Sequence, residues 1–553
     1  MTDSGVLQNL LTRLTPRMAG AFRASGFWQD TTIYDHAAGH AASSPTKTAV
    51  RDAGGLVDYG GLVSAADALA EDLRAAGLQP GDRVAAWLPS RVEVAVALLA
   101  CSREGLVFCP SFHRNHTVAE VRDLLGRMRA RALILEDGYG ADVDAADAGS
   151  LAEAEHLVRF IRLAPRRKGF DTALPKPGAG KAVPPAVGDA DHVVYVAFTS
   201  GTTGEPKGVL HSNNTLLANA RAIAADWNFD SRSVIYTLSP LSHNLGFGAM
   251  VLSLLVGGEL VLHDLPRGAS LLARLKECGA TFIFGVPAHA MDLLREIETE
   301  GSAGLERLKG FRISGAAAPS IVVERLLSHG IIPQSGYGMT EGCSHHYTLP
   351  TDGPDRVVHT SGRACPGYEV AIFSVDDPDL RLPPGAVGQI GGRGASLMLG
   401  YFGDQTATER SFNRSGWFMT GDLGRLDEQG YLQITGRIKD IIIRGGHNIH
   451  PAKIEELALR YPGVERAAAI PVKDERLGEK VCLVVMPKNG KTTDPAEMLR
   501  HLGAQGLSRY DMPEYFVEVP EIPLSANGKM LKRLLVPRVA SGELRPQPIR
   551  YAG

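Results

Sequence analysis

The run Thr199-Ser200-Gly201-Thr202-Thr203-Gly204-Glu205-Pro206-Lys207-Gly208-Val209 gathers hydroxyls, glycines and one lysine directly after the apolar Val193, Val194, Val196 and Phe198. These are the residue types of a polyphosphate cradle. Glycines let backbone N–H groups approach anionic oxygens, hydroxyls donate further hydrogen bonds, and an ammonium offsets charge as a compact point donor. The apolar residues predict a buried strand with the run at its carboxyl end, where parallel sheets present ligands. The Walker pattern does not fit, because Pro206 stands where a second glycine is needed and Gly208 follows Lys207 in place of Ser or Thr. That argues against a P-loop NTPase. Taken alone, such a run is also what a solvated turn looks like.

Three further segments carry chemistry of a related kind. Ser335-Gly336-Tyr337-Gly338-Met339-Thr340-Glu341 offers a ring to stack a base, and a hydroxyl and a carboxylate to hold a divalent cation on phosphate oxygens. Thr420-Gly421-Asp422-Leu423 places a carboxylate on a tight turn, suited to accepting from ribose hydroxyls. Pro523-Leu524-Ser525-Ala526-Asn527-Gly528-Lys529 presents a lysine after a turn. Each alone is more often an ordinary surface loop. Cys343, close to Glu341, has no base assigned to it that would make it a nucleophile.

These loops need a scaffold, and 553 residues are too many for one core. From Asp82 onward, strand-like Val84–Leu88, helical Val92–Cys101, strand-like Val107–Cys109, helical Val118–Met128 and strand-like Ala132–Leu135 alternate as in an α/β domain. Val118, Val121, Leu125 and Met128 form one apolar helical stripe. The Pro-, Gly- and Ala-rich stretch at 175–190 predicts a junction between subdomains. A second break falls at Gly436-Arg437-Ile438-Lys439-Asp440, after which the pattern becomes α+β. There Ile454, Leu457, Ala458 and Tyr461 make a helical stripe after Pro451, and Ala467–Val472 and Val481–Met486 read as strands. The expected architecture is α/β plus α+β: a large, multi-subdomain N-terminal domain over 1–438 and a small mobile C-terminal lid over 439–553.

Composition narrows the function. Lys plus Arg number 58 against 61 Asp plus Glu, a formal charge of -3, so no general grip on nucleic acid is expected. Leu245 to Leu262 is the most apolar run, but Ser253, Gly257-Gly258 and Glu259 divide it into a core helix and a short strand, and no membrane span is expected. The six cysteines form no CxxC pair, and no secretory signal is apparent, which predicts a cytoplasmic protein with reduced thiols.

Together and in this order, the four loops resemble those of the adenylate-forming superfamily of acyl- and aryl-CoA synthetases, aryl-acid adenylating enzymes, luciferases and peptide-synthetase adenylation domains. The resemblance runs from about Trp28 to about Leu535. It implies ATP, Mg2+ and coenzyme A, and a reaction in which a carboxylate attacks the α-phosphate, pyrophosphate leaves, and the acyl group passes from its adenylate to a thiol. Thr199, Ser200, Gly201, Thr202, Thr203, Gly204 and Lys207 would then form the phosphate loop. Gly315, Ala316, Ala317 and Tyr337 would flank adenine, Gly338 and Met339 would belong to the same ATP site, Thr340 and Glu341 would serve phosphate and Mg2+, and Asp422 with Arg437 would hold the ribose. Lys529 matches the adenylation lysine and Lys439 the hinge on which the lid pivots. Arg444, Gly445 and Gly446, with His447 and Asn448 after them, would line the pantetheine tunnel. His447 and His450 have no third ligand in view for a metal. One departure is Lys453, where family members commonly carry glutamate, which puts the local helix pairing in doubt.

The resemblance places the acyl pocket at His243, Asn244, Phe247, Phe284, Gly315 and Gly342, with His243 closing over the carboxylate. Gly315, Gly338 and Gly342 are expected to leave room for a ring. His243-Asn244 is similar to the 2,3-dihydroxybenzoate-AMP ligases, whose asparagine meets a ring hydroxyl. Yet Leu245 stands where those enzymes carry an aromatic hydroxyl, which weakens selection for a hydroxylated ring. The reading favoured is a cyclohexanecarboxylate-like alicyclic, aromatic or medium-chain acid with CoA as acceptor. Loading of a carrier protein with dihydroxybenzoate or salicylate is the alternative, a nucleotide-binding protein without turnover stands third, and a homodimer is left open.

Overall fold

The computed structural model describes residues 12–166, 174–175, 184–199, 206–266, 268–315, 319–488, 492–524 and 530–551. Two large sheets, a smaller antiparallel one and a separate C-terminal sheet account for its strands. The first runs, edge to edge, through Gly400–Tyr401, Lys207–Ser212, Val193–Thr199, Val107–Cys109, Arg83–Trp87, Ala132–Glu136 and Arg159–Leu163. The second has nine strands, with Val234–Thr237, Phe282–Gly285, Gly310–Ile313 and Ile332–Met339 as neighbouring parallel members. Phe282–Gly285 and Gly310–Ile313 are buried at every position, as expected of parallel strands covered on both faces by helices.

The local signals explain the helices that cover them. Val118–Met128 starts at a Thr117/Glu120 capping box and buries Val118, Val121, Leu125 and Met128, with Leu124 added to the stripe. Asn244–Val256 ends at Gly257, whose φ of +70° is the left-handed cap that glycine supplies without a steric penalty, and Glu259–Leu262 follows as a strand. Among the described residues no helix is long and apolar enough to cross a membrane. All six cysteines are free and buried.

Between the large sheets and the C-terminal part lies an antiparallel sheet of Tyr368–Phe373, Gly388–Gly394, Phe418–Leu426 and Leu432–Arg437. Arg437 ends it, Ile438–Asp440 makes one 3-10 turn, and Ile442 begins the next sheet. That sheet is built on a long hairpin, Val464–Asp474 with Gly478–Pro487, and encloses its own apolar clusters. The helix Pro451–Leu459 buries Ile454, Leu457 and Ala458, while Tyr461 falls beyond its end and donates to Glu497 instead. Lys453 is exposed. The helix is pinned by Glu455, which accepts from Ala469 N and pairs with Lys532 Nζ at 2.6 Å, so the departure at Lys453 lies away from this anchor.

Val193–Thr199 is buried and carries the start of the opening run at its carboxyl end, as expected. Its continuation Lys207–Ser212 returns antiparallel beside it, with Thr199 opposite Lys207. Thr199 and Lys207 therefore stand at the mouth of a hairpin. Lys207 is brought back next to the strand it left.

Candidate active site

Lys207, Glu341 and Tyr401 form the charged centre. The two-residue strand Gly400–Tyr401 adds onto Lys207–Ser212, with Tyr401 opposite Val209, and this sets the Tyr401 ring under the lysine. The Lys207 ammonium lies 4.8 Å from the ring centroid, a cation–π distance. The Tyr401 hydroxyl donates to Glu341 Oε1 at 2.9 Å. Burial raises the Glu341 carboxyl above the ordinary carboxylate range, and Tyr401 and Lys207 act against that rise.

The backbone around Glu341 is held from two sides. Met398 N donates to Glu341 O at 2.7 Å. His211, wholly buried, contacts Thr340 O through Nε2 at 2.7 Å and Thr215 Oγ1 through Nδ1 at 3.0 Å. The carbonyl can only accept, so His211 Nε2 carries the proton. Burial lowers the His211 pKa to about 4. The ring stays neutral and fixes the Thr340–Glu341 loop without adding charge.

A second group joins Tyr337, Asp422 and Arg437. The buried Tyr337 hydroxyl donates to Asp422 Oδ2 at 2.7 Å, and Arg437 Nε pairs with Asp422 Oδ1 at 2.8 Å. The pairing of Asp422 with Arg437 across adjacent antiparallel strands makes this contact local. The Arg437 guanidinium is about half exposed, so its other N–H groups can reach a ligand. Met339 is half-buried between two apolar clusters.

The predicted acyl residues divide. His243 caps the helix Asn244–Val256 and stacks on His113, ring centroids 4.1 Å apart and planes 16° apart. Burial lowers His113 to a pKa of about 2, and its Nδ1 meets Ser242 Oγ at 3.0 Å. Asn244 Nδ2 donates to Met339 O at 3.4 Å, tying the helix start to the end of the strand that carries Tyr337. Phe247 is fully buried and stacked on Tyr195 at 4.1 Å, and Phe284 is buried against Phe282.

The three glycines expected to leave room for a ring differ in what an added Cβ would meet. A Cβ on Gly315 would meet only Val286 at 3.6 Å, although φ there is +90°. At Gly338 it would lie 2.2 Å from Cys343 O, and at Gly342 2.7 Å from the His345 ring and 2.9 Å from Tyr368 Oη. Those two positions are occupied by the protein's own close packing.

In the C-terminal part, Ile442–Arg444 and His447–Ile449 pair through the two-residue turn Gly445-Gly446, with φ of +58° and +84°. Positive φ at both positions is the hairpin geometry that glycine favours. Arg444 is braced by Glu514 Oε1 at 2.7 Å, and His447 pairs with Asp511 at 2.8 Å. Lys439 is exposed in the connecting turn. Ser200, Gly201, Thr202, Thr203, Gly204, Ala316, Ala317 and Lys529 lie outside the described residues.

Sequence reasoning missed Tyr401, His211 and His113. His211 was within reach, four residues after Lys207 on the same strand. Tyr401 and His113 carry no local signal, because each meets its partner only through strand and helix packing.

A family model described as AMP-binding enzyme matches residues 38–402, and one described as AMP-binding enzyme C-terminal domain matches 453–529. The chain is 32% identical over 521 residues to the medium-chain fatty-acid–CoA ligase of Escherichia coli (strain K12), covering 93% of this chain and 92% of that protein. It is 30% identical over 549 residues to the salicyl-AMP ligase / salicyl-S-ArCP synthetase of Mycobacterium tuberculosis (strain ATCC 25618 / H37Rv), covering 96% and 95%. The crystal structure of ATP-bound MatB from Rhodopseudomonas palustris superposes with a TM-score of 0.78 at 28% identity, covering 92% of this chain and 99% of that one.

Proposed function

Since the chain belongs to the AMP-binding enzyme family, we propose that it activates a carboxylic acid with ATP and transfers the acyl group to coenzyme A. A carboxylate oxygen attacks the α-phosphorus, the bond from that phosphorus to the bridging oxygen breaks, and pyrophosphate leaves with the electron pair. The CoA thiol then loses its proton and attacks the acyl carbon, and AMP leaves as the carbon–oxygen bond breaks. The observation carrying this reading is that Tyr401 joins Lys207 and Glu341, the charged residues of two segments expected to meet phosphate.

In this reading Lys207, with the hydroxyls of Thr199, Thr202 and Thr203, offsets charge on the departing pyrophosphate. Tyr337 faces the adenine, and Asp422 and Arg437 take the ribose hydroxyls. Lys529 bridges the acid's carboxylate and the α-phosphate, where charge develops during attack. Lys439 is the pivot that brings first Lys529 and then the Gly445-Gly446 turn to the reacting centre. Asn244, already engaged with Met339 O, supports an acid without a ring hydroxyl.

Mg2+ takes one or two carboxylates together with substrate phosphates, and the oxygen donors here suit it. Glu341 has one carboxylate oxygen engaged by Tyr401 and is raised by burial, so a cation beside it is favoured. Glu341 and Thr340 would hold the ion, which would neutralise phosphate charge.

The substrate proposed is a medium-chain, aromatic or alicyclic acid, and six buried free thiols suit a reducing cytoplasm. Carrier loading is the competing acceptor, as the name of the mycobacterial relative suggests for that protein. The test is pyrophosphate release over benzoate, cyclohexanecarboxylate, 2,3-dihydroxybenzoate, salicylate and medium-chain acids, with and without CoA. Acid-dependent release together with CoA consumption supports the proposal. Acid-dependent release with CoA never consumed favours the carrier.

A further inference from the structure

We infer that the acid taken by this site carries a second carboxylate, remote from the reacting one, and that Arg312 receives it. The inference rests on the ligase reading above and narrows its substrate. Arg312 lies in the middle of the strand Gly310–Ile313 and is fully buried. Its neighbours Phe311 and Ile313 belong to the apolar cluster on the other face of the sheet. By strand alternation Arg312 points the opposite way, into the layer that holds Phe284, Tyr347 and Phe247 under the helix Asn244–Val256. Phe284, Arg312 and Gln334 stand side by side at matching positions of three parallel strands. Arg312 therefore extends the wall on which sequence reasoning placed the acyl group.

The guanidinium is only partly satisfied. Nη1 donates to Gln334 Oε1 at 2.6 Å, and the group lies 5.4 Å from the Tyr347 ring centroid. Among the described residues Nε and Nη2 have no hydrogen-bond partner, nor has Gln334 Nε2. Arg312 also has no carboxylate within ion-pair distance among them. Nε and Nη2 are the two nitrogens whose N–H bonds run parallel along one edge of a guanidinium, the edge that takes both oxygens of a carboxylate. Gly336 makes room for this edge, since a Cβ there would come within 2.9 Å of Nη2. Gly336 lies on the strand that leads to Thr340 and Glu341, so Nη2 packs beside the strand that feeds that loop.

An arginine placed only for packing would have its donors paired, because burying a charge without a partner is costly. Burial already lowers this guanidinium to a pKa of about 10. A ligand carboxylate would relieve that cost. The edge is closed to water in the free protein, so binding is coupled to a local rearrangement and the bound carboxylate is desolvated. Such a site discriminates strongly against an acid lacking the second charge.

The experiment uses the full chain with ATP, Mg2+ and CoA and measures AMP release over acid pairs of matched skeleton: hexanoate with hexanedioate, octanoate with octanedioate, benzoate with benzene-1,4-dicarboxylate. In at least one pair the dicarboxylate is expected to exceed its partner in kcat/KM by about 10²-fold or more. Arg312→Met reverses that order, and Arg312→Lys keeps part of it. Thermal melting separates this role from a structural one. Arg312→Met should melt no lower than the wild type, because an unpaired buried charge is removed, and the preferred dicarboxylate should raise the melting temperature of the wild type only. Wild-type preference for the monocarboxylate in every pair overturns the assignment and leaves the ligase reading standing. A lower melting temperature for Arg312→Met without loss of dicarboxylate preference also overturns it. If no acid supports AMP release, the ligase reading fails instead, and the effect of the dicarboxylates on melting decides for or against Arg312.

Discussion

Tyr401 touches both charges at the proposed phosphate site, its ring under the Lys207 ammonium and its hydroxyl on Glu341. Replacing it with phenylalanine keeps the ring and removes the hydrogen bond to a charged group, worth about 1.5–3 kcal/mol. Tyr401→Phe is therefore expected to lower kcat for AMP formation by about ten-fold or more, with a modest fall in melting temperature from the lost bond. An unchanged kcat would remove Tyr401 from the mechanism. Lys529 makes a separate claim. Lys529→Ala should reduce acid-dependent ATP–pyrophosphate exchange by about 10²–10³-fold, by analogy with loss of an oxyanion donor, while supplied acyl-adenylate is still converted to thioester. Exchange at the wild-type rate would show that the adenylation role is misassigned.

Among the elements, those with strong local patterns were legible: the Val118–Met128 stripe, the division of 245–262 into helix and strand, the strands on either side of residue 475 and the break at 436–440. What escaped was set by contacts between distant segments. The hairpin at Lys207 depends on pairing with Val193–Thr199 and Gly400–Tyr401, which composition does not encode. Glycines are ambiguous in a sequence for a similar reason, since an absent side chain can make room for a ligand or for the chain itself. Gly338 and Gly315 separate these cases. Gly338→Ala drives a Cβ against Cys343 O and should cost about 3 kcal/mol or more and abolish activity, because backbone must move. Gly315→Ala makes only an ordinary contact with Val286 at 3.6 Å and should cost about 1–2 kcal/mol, mainly from positive φ. Thermal melts of the two variants check the order, and equal losses would contradict the packing account.

For the whole molecule, buried neutral histidines set the response to acid. His36, His211 and His289 are lowered to about 4 and His346 to about 3, mainly by burial. In the unfolded chain each titrates near about 6.5. Between those values the unfolded state binds more protons, so this contribution to stability is complete above about pH 6.5 and is lost as the pH falls toward 4. The melting temperature should be level from pH 8 to about 6.5 and then fall before most carboxylates titrate. A level profile down to pH 5 would contradict the burial of these rings.

The central claim concerns the first half-reaction. Its most direct measurement is exchange of labelled pyrophosphate into ATP by the purified chain, with Mg2+ and without CoA, in the presence and absence of each acid. Adenylate formation is reversible on the enzyme, so the account predicts exchange that requires an acid and that CoA draws off into thioester and AMP. Exchange independent of acid, or ATP consumption yielding ADP and phosphate, would contradict it.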